Sequence, residues 1–220
     1  MHIMDGILTP FWSALWFIAA APFLIVGAFM ITAKRRENPA YLSLLAFMGA
    51  TIFIVSVWHI PVPVTGSCSH PCGVALSAII VGPFESSILA FIALFIQLFL
   101  AHGGITALGA NTVSMGIVGG FLGYGIYLLL KRLGTPIWAA AGTAGFLGDL
   151  ATYVVTAGQI ALSLHPEAPV SYWLLFSAGF LPTQLPLAVL EFLLTAALVR
   201  YLAVTRPEIL KGRLAFGQVH

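Results

Sequence analysis

The chain has 220 residues, of which 60% are hydrophobic and only 7% charged, with a mean hydropathy of +1.03. A soluble domain carries about 25% charged residues, so this composition cannot cover a water-facing surface and predicts an integral membrane protein in contact with lipid. The same numbers exclude disordered, collagen-like and disulfide-stapled classes, and a net charge of +2 points away from nucleic acid as a partner.

The gaps between charges divide the chain into spans. A membrane helix needs about 20 apolar residues to cross about 30 Å. The charge-free run from Gly6 to Ala33 predicts one span over Phe11–Thr32. The run from Asn38 to Phe84, broken by Pro61, Pro63 and Pro71, predicts a span over Leu42–Trp58 and a short one over Gly73–Pro83. The run from Ser86 to Leu130 splits at Ala101-His102-Gly103-Gly104 into Phe84–Leu100 and Leu108–Leu130. Pro136–Leu164 and Tyr172–Arg200 complete an all-α pattern of about seven transmembrane helices in a single domain, residues 1–220. The first residues have neither a basic n-region nor an A-x-A site, so no signal peptide is expected.

All nine Lys and Arg fall in three places: Lys34-Arg35-Arg36, Lys131-Arg132, and the stretch Arg200, Arg206, Lys211 and Arg213. Under the positive-inside rule these face the cytoplasm. Seven spans with the N-terminus outside and the C-terminus cytoplasmic satisfy all three groups, whereas a six-span chain would split them.

That topology gathers His2, His59, His70, His102 and His165 on the external side, with His220 alone opposite. Any one of them reads equally as an interfacial residue, but the set suggests capture of a metal ion from outside, since neutral imidazole is the commonest metal ligand. His2 can chelate through the terminal amine, its own backbone nitrogen and Nδ1. A further imidazole would complete the four-nitrogen square preferred by Ni(II) or Cu(II). The segment Gly66-Ser67-Cys68-Ser69-His70-Pro71-Cys72-Gly73 is the second dense site. His70 is a candidate ligand there, with Ser67 and Ser69 orienting its imidazole. Cys68 and Cys72 read as soft ligands, as an external disulfide, or as inert small residues.

Met1-His2-Ile3-Met4-Asp5-Gly6 resembles the N-terminal motif of the CbiM/NikM family, the substrate-binding membrane components of energy-coupling-factor transporters for cobalt and nickel. Gly66–Gly73 is similar to that family's Gly-Ser-Cys-Ser-His-Pro-Thr-Gly loop, especially in its cobalt branch. Ala101–Asn111, Asp149–Tyr153 and Pro182–Pro186 resemble further family blocks. The likeness covers nearly the whole chain. Cys72 stands where the family has Thr, and Phe192 follows Glu191 where it often has Gly.

The resemblance implies a six-helix substrate-component core plus an extra N-terminal helix, in a prokaryotic plasma membrane. It implies Co(II), or else Ni(II), as transported substrate, with Met1, His2 and His70 as ligands. Asp5, Ser67, Cys68, Ser69, His102 and Asn111 are the candidates for supporting or gating that site. The implied partners are a membrane coupling subunit, cytoplasmic ATPase subunits and a small accessory membrane subunit. The chain has no G-x-x-x-x-G-K-[ST] motif, so it is expected not to be an enzyme that energises uptake itself. A membrane metalloenzyme using His59, His70, His102 and Asp149, or a metal channel, are the rival readings.

Asp149 and Glu191 lie within spans, where ionisable groups are costly and are either functional or paired. Thr152, Tyr153, Gln159 and Gln184 are their candidate partners. The small-residue run Ala139–Gly145 reads either as bundle packing or as a seat for the coupling subunit.

Overall fold

The computed structural model of the chain describes residues 2–62, 65, 67–100 and 102–214, without the side chains beyond residue 210. In chain order the elements are α1 (Pro10–Glu37), α2 (Tyr41–Val57), strands β1 (Ile60–Val62) and β2 (Ser67–Ser69), α3 (Val74–Ile80) and α4 (Pro83–Leu98). There follow α5 (Leu108–Asn111), a π-helical stretch (Thr112–Gly119), α6 (Gly120–Arg132), α7 (Ile137–Leu164), α8 (Pro169–Thr205) and α9 (Pro207–Leu214). α5 runs through the π-helical stretch into α6 as one rod, and this rod, α1, α7 and α8 are each long and apolar enough to cross a membrane. α2 and α4 are shorter apolar helices. The expected all-α membrane fold is therefore observed, with one addition. β1 and β2 form a small antiparallel hairpin, Ile60 opposite Ser69 and Val62 opposite Ser67. Three-residue strands holding Pro61 give no alternating pattern to read.

The expected short span over Gly73–Pro83 is shorter still. α3 has seven residues, all buried. At 1.5 Å per residue it is about 10 Å long, a third of a bilayer core. Its far end is fixed where the Tyr41 hydroxyl donates to the Val81 carbonyl at 3.2 Å, next to the ion pair of Lys34 with the buried Glu85. β2, the loop at His70 and α3 are all buried, so this irregular backbone is surrounded by protein. Gly73 makes the turn into α3 at φ +68°, a left-handed conformation that a side chain disfavours.

Pro10 opens α1, where its missing N–H costs no intrahelical bond, and Lys34, Arg35 and Arg36 complement the dipole at the other end. Only 11% of the apolar window of α1 is buried, so this helix lies along the outside of the bundle. The core runs from Leu45, Met48 and Ile52 of α2 and Leu89, Ala90, Ala93 and Leu94 of α4, through α3 and the π-helical stretch, to α6, α7 and α8. The run Ala139–Gly145 belongs to it. Ala140, Ala141 and Ala144 are fully buried, and a Cβ on Gly142 would come within 2.8 Å of the Phe192 ring. That run is the seat of α8, and Phe192 fills the groove the small residues leave.

Candidate metal site

The segment from His2 to Thr9 precedes α1 without regular structure, yet it is tied down along its length. The Ser67 hydroxyl donates to the His2 carbonyl at 3.1 Å. The Asn111 side chain accepts from the Ile3 N–H at 3.1 Å and donates to the Ile3 carbonyl at 3.4 Å. Asp5 Oδ1 accepts from the N–H and hydroxyl of Thr106, at 3.0 and 2.6 Å. Ser163 Oγ accepts from the Thr9 N–H and donates to the Ile7 carbonyl. His2 is consequently buried, although an unanchored chain end would be wet.

The hydrogen bonds of each ring decide which nitrogen carries the lone pair. Gln97 Nε2 donates to Ser56 Oγ at 2.8 Å, so its Oε1 is the atom 2.7 Å from His2 Nε2. A carbonyl oxygen only accepts, hence His2 is protonated on Nε2 and its lone pair lies on Nδ1. Cys68 Sγ stands 3.4 Å from that Nδ1. His70 Nδ1 is 2.7 Å from the Pro71 carbonyl and must donate to it, which puts the His70 lone pair on Nε2. The two rings face each other with centroids 4.6 Å apart. One ligand atom each from His2, Cys68 and His70 lie within 4.8 Å of one another, and all three residues are buried. Burial pushes the His2 imidazole well below its usual protonation range, with His102 and His59 adding to the effect, so it stays neutral and able to ligate.

The loop carrying His70 is clamped from α7 and α8. The Tyr153 hydroxyl accepts from the His70 N–H at 2.8 Å and donates to the His70 carbonyl at 2.9 Å. Ser69 Oγ donates to Thr183 Oγ1 at 2.8 Å, and the Gly73 N–H donates to Glu191. Gln184 donates to Asp149 directly beneath. Tyr153, Thr183 and Glu191 thus hold the backbone that carries His70, and Gln97 holds His2. None of these was legible as part of the site from residue type alone. Tyr153 and Thr183 did fall in blocks of family likeness.

Several expectations are corrected. Ser67 and Ser69 do not orient the His70 imidazole; they fix the His2 backbone and Thr183. Asn111 holds the N-terminal segment at Ile3, and Asp5 holds Thr106. Cys68 and Cys72 are free and buried, not a disulfide. Of the five histidines expected together, four gather. His165 stacks on Tyr172 with centroids 3.4 Å apart and pairs with Glu167. His102 lies at the mouth, its ring 5.8 Å from His2. Tyr153 serves His70, Thr152 donates to the Gly148 carbonyl and Gln159 to the Ala110 carbonyl, so of the candidate partners only Gln184 serves Asp149. Met1, Gly66 and His220 lie outside the described residues.

This is the architecture of a multi-pass membrane protein, and it belongs with a family of prokaryotic membrane transport components. Residues 2–209 match the family model described as "Cobalt uptake substrate-specific transmembrane region", and the chain belongs to that family, CbiM. A cobalt transport protein CbiM from Geobacter sulfurreducens is 45% identical over 212 residues, 96% of this chain and 61% of that protein. The CbiM of Sorangium cellulosum is 41% identical over 212 residues, 96% of this chain and 94% of its own. The crystal structure of a truncated transition metal transporter superposes with a TM-score of 0.82 at 30% identity, covering 92% of this chain and 98% of that one.

Proposed function

We propose that the chain is the substrate-capture membrane component of an ATP-driven cobalt uptake transporter. Its residues 1–220 act as one membrane domain with seven passages, an external N-terminus and a cytoplasmic C-terminus. External Co(II) displaces protons from the Met1 amine and the His2 backbone nitrogen. It binds these two nitrogens, His2 Nδ1 and His70 Nε2, with the Cys68 thiol alongside. A membrane coupling subunit, cytoplasmic ATPase subunits and a small accessory membrane subunit then drive reorientation and inward release. Ni(II) fits the same four nitrogens, and the Irving–Williams order gives it the higher intrinsic affinity.

The observation that carries this reading is the pair of tautomers. Gln97 and the Pro71 carbonyl leave the lone pairs on His2 Nδ1 and His70 Nε2 in one buried pocket. His2 Nδ1 is the ring nitrogen that closes a six-membered chelate with the backbone nitrogen of its own residue. The ends of the passages support the orientation. Lys34, Tyr41, Val81 and Glu85 meet at one end of the bundle, and His2, His70, Gln97 and Asn111 lie at the other.

The test is metal titration of the purified chain, recording d–d spectra for Co(II) and Ni(II). A one-to-one, nitrogen-rich complex is expected. It should be lost in His2→Ala and in a variant carrying one extra residue before Met1. Unchanged binding in the extended variant would remove the amine from the ligand set; unchanged binding in His2→Ala would remove the site. Metal flux through the chain alone in liposomes, without ATP, would make it a channel.

A further inference from the structure

We propose that His59 and His102 form a second, outer divalent-cation site at the mouth of the pocket, which takes the ion from solution and hands it inward. The hand-off rests on the inner site proposed above; the outer site itself does not. His59 follows α2 and His102 follows α4, and their rings meet edge to face with centroids 4.1 Å apart. His102 Nδ1 lies 2.8 Å from the Leu100 carbonyl and must donate to it, so the His102 lone pair is on Nε2. That Nε2 is 2.6 Å from His59 Nδ1, which donates to it and also lies 3.4 Å from the Val57 carbonyl.

A single proton therefore separates two facing nitrogens. The His59 ring is exposed. Water can move its proton from Nδ1 to Nε2 with no change in net charge, and both facing nitrogens then present lone pairs. Two imidazole nitrogens at about 2.0–2.1 Å from one cation, at right angles, stand about 3 Å apart. The observed gap needs to open by only a few tenths of an ångström, with each ring turning until its lone pair points at the shared ion and no longer along the N–N line.

The outer pair is placed to serve the inner one. His2, His59, Cys68 and His102 line one cavity of about 250 Å³, and the His102 ring is 5.8 Å from the His2 ring. An ion can pass between them without leaving imidazole. Nitrogen ligands also favour transition metals over Ca(II) and Mg(II), which want oxygen. Two ligands hold an ion loosely enough to release it, whereas the buried inner site holds it.

The test uses the purified full-length chain and Co(II) alone. Stopped-flow absorbance follows association and dissociation in the chain, in His59→Ala and in His59→Gln, which keeps a hydrogen-bond donor to His102 but replaces the imidazole nitrogen ligand by an amide. A relay site lowers one barrier for both directions, so both rates should fall together in both variants, by about fivefold or more. Faster dissociation would make His59 part of the inner site and overturn the proposal, as would unchanged rates. Equilibrium titration of His2→Ala/His70→Ala, which removes both inner imidazoles, isolates the outer pair. A weak Co(II) site should remain there and vanish when His59→Ala is added; its persistence in the triple variant refutes the outer site whatever becomes of the inner one.

Discussion

Replacing Gln97 by Leu removes the acceptor that sets the tautomer of His2 while keeping a side chain of similar size. In the ion-free chain His2 can answer by moving its proton to Nδ1, where Cys68 Sγ at 3.4 Å can accept it. The fold then loses the net value of a hydrogen bond or two, about 1 kcal/mol each. With an ion on Nδ1 that escape is closed. Nε2 must keep its proton, buried and without the partner now at 2.7 Å. An unsatisfied buried donor costs about 1–3 kcal/mol, and 1.4 kcal/mol is tenfold, so the Kd for Co(II) should rise about 5- to 150-fold. Competition against a chromophoric chelator, with thermal unfolding of the same sample, measures both quantities. A Kd within about twofold of the parent, in a chain that still folds, would mean that Nδ1 is not the ligand atom or that Gln97 does not hold it.

Three further outcomes are expected. Tyr153→Phe deprives the His70 N–H and carbonyl of their common partner, so thermal scans should show about 1–3 kcal/mol of lost stability, and Co(II) should bind more weakly. In Gly104→Ala the new Cβ would collide with the backbone nitrogen and carboxylate of Asp5; titration should show capture weakened at least about tenfold while circular dichroism still reports a helical bundle. Burial first of all holds the His2 imidazole well below the ordinary histidine range near 6.5, so as pH falls the unfolded chain takes up that proton before the folded one does. Docking of the N-terminal segment is therefore complete above about 6.5 and weakens below it. Protons do not compete at the imidazole until still lower pH, so the amine, with an ordinary pKa of about 7.7–8.0, should set the pH midpoint of capture. A titration midpoint near 6.5 would show instead that an imidazole controls it.

The helices were legible because charge is scarce. Each predicted span contains or overlaps an observed helix, but α1 runs on through Lys34–Arg36 to Glu37 and α8 reaches from Pro169 to Thr205, beyond the expected ends at Thr32, Tyr172 and Arg200. His2 and His70 were legible because histidine has few uses at a membrane mouth and because the surrounding motifs resemble a family. Their supports were not. Gln97 sits in an apolar run, and a glutamine there has the same signature whether it bridges two helices or holds a ligand. Tyr153 acts through its hydroxyl on a backbone 83 residues earlier, a pairing no local pattern encodes. His165 was misjudged because topology gives the side of the membrane and not the position within it; at the end of α7 its ring finds Tyr172 first.

The contacts that bury the first residues span 95, 108 and 154 positions of sequence. The segment His2–Thr9 is therefore held by α4 at His2, α5 at Ile3 and α7 at Thr9, elements far from it in sequence. On the proposed reading, an ion bound there adds to the tertiary structure. By mass action a ligand at 100 times its Kd adds about 2.7 kcal/mol to the folded state alone. Metal supply should then govern how long the assembled chain survives in its membrane as well as how much metal it carries.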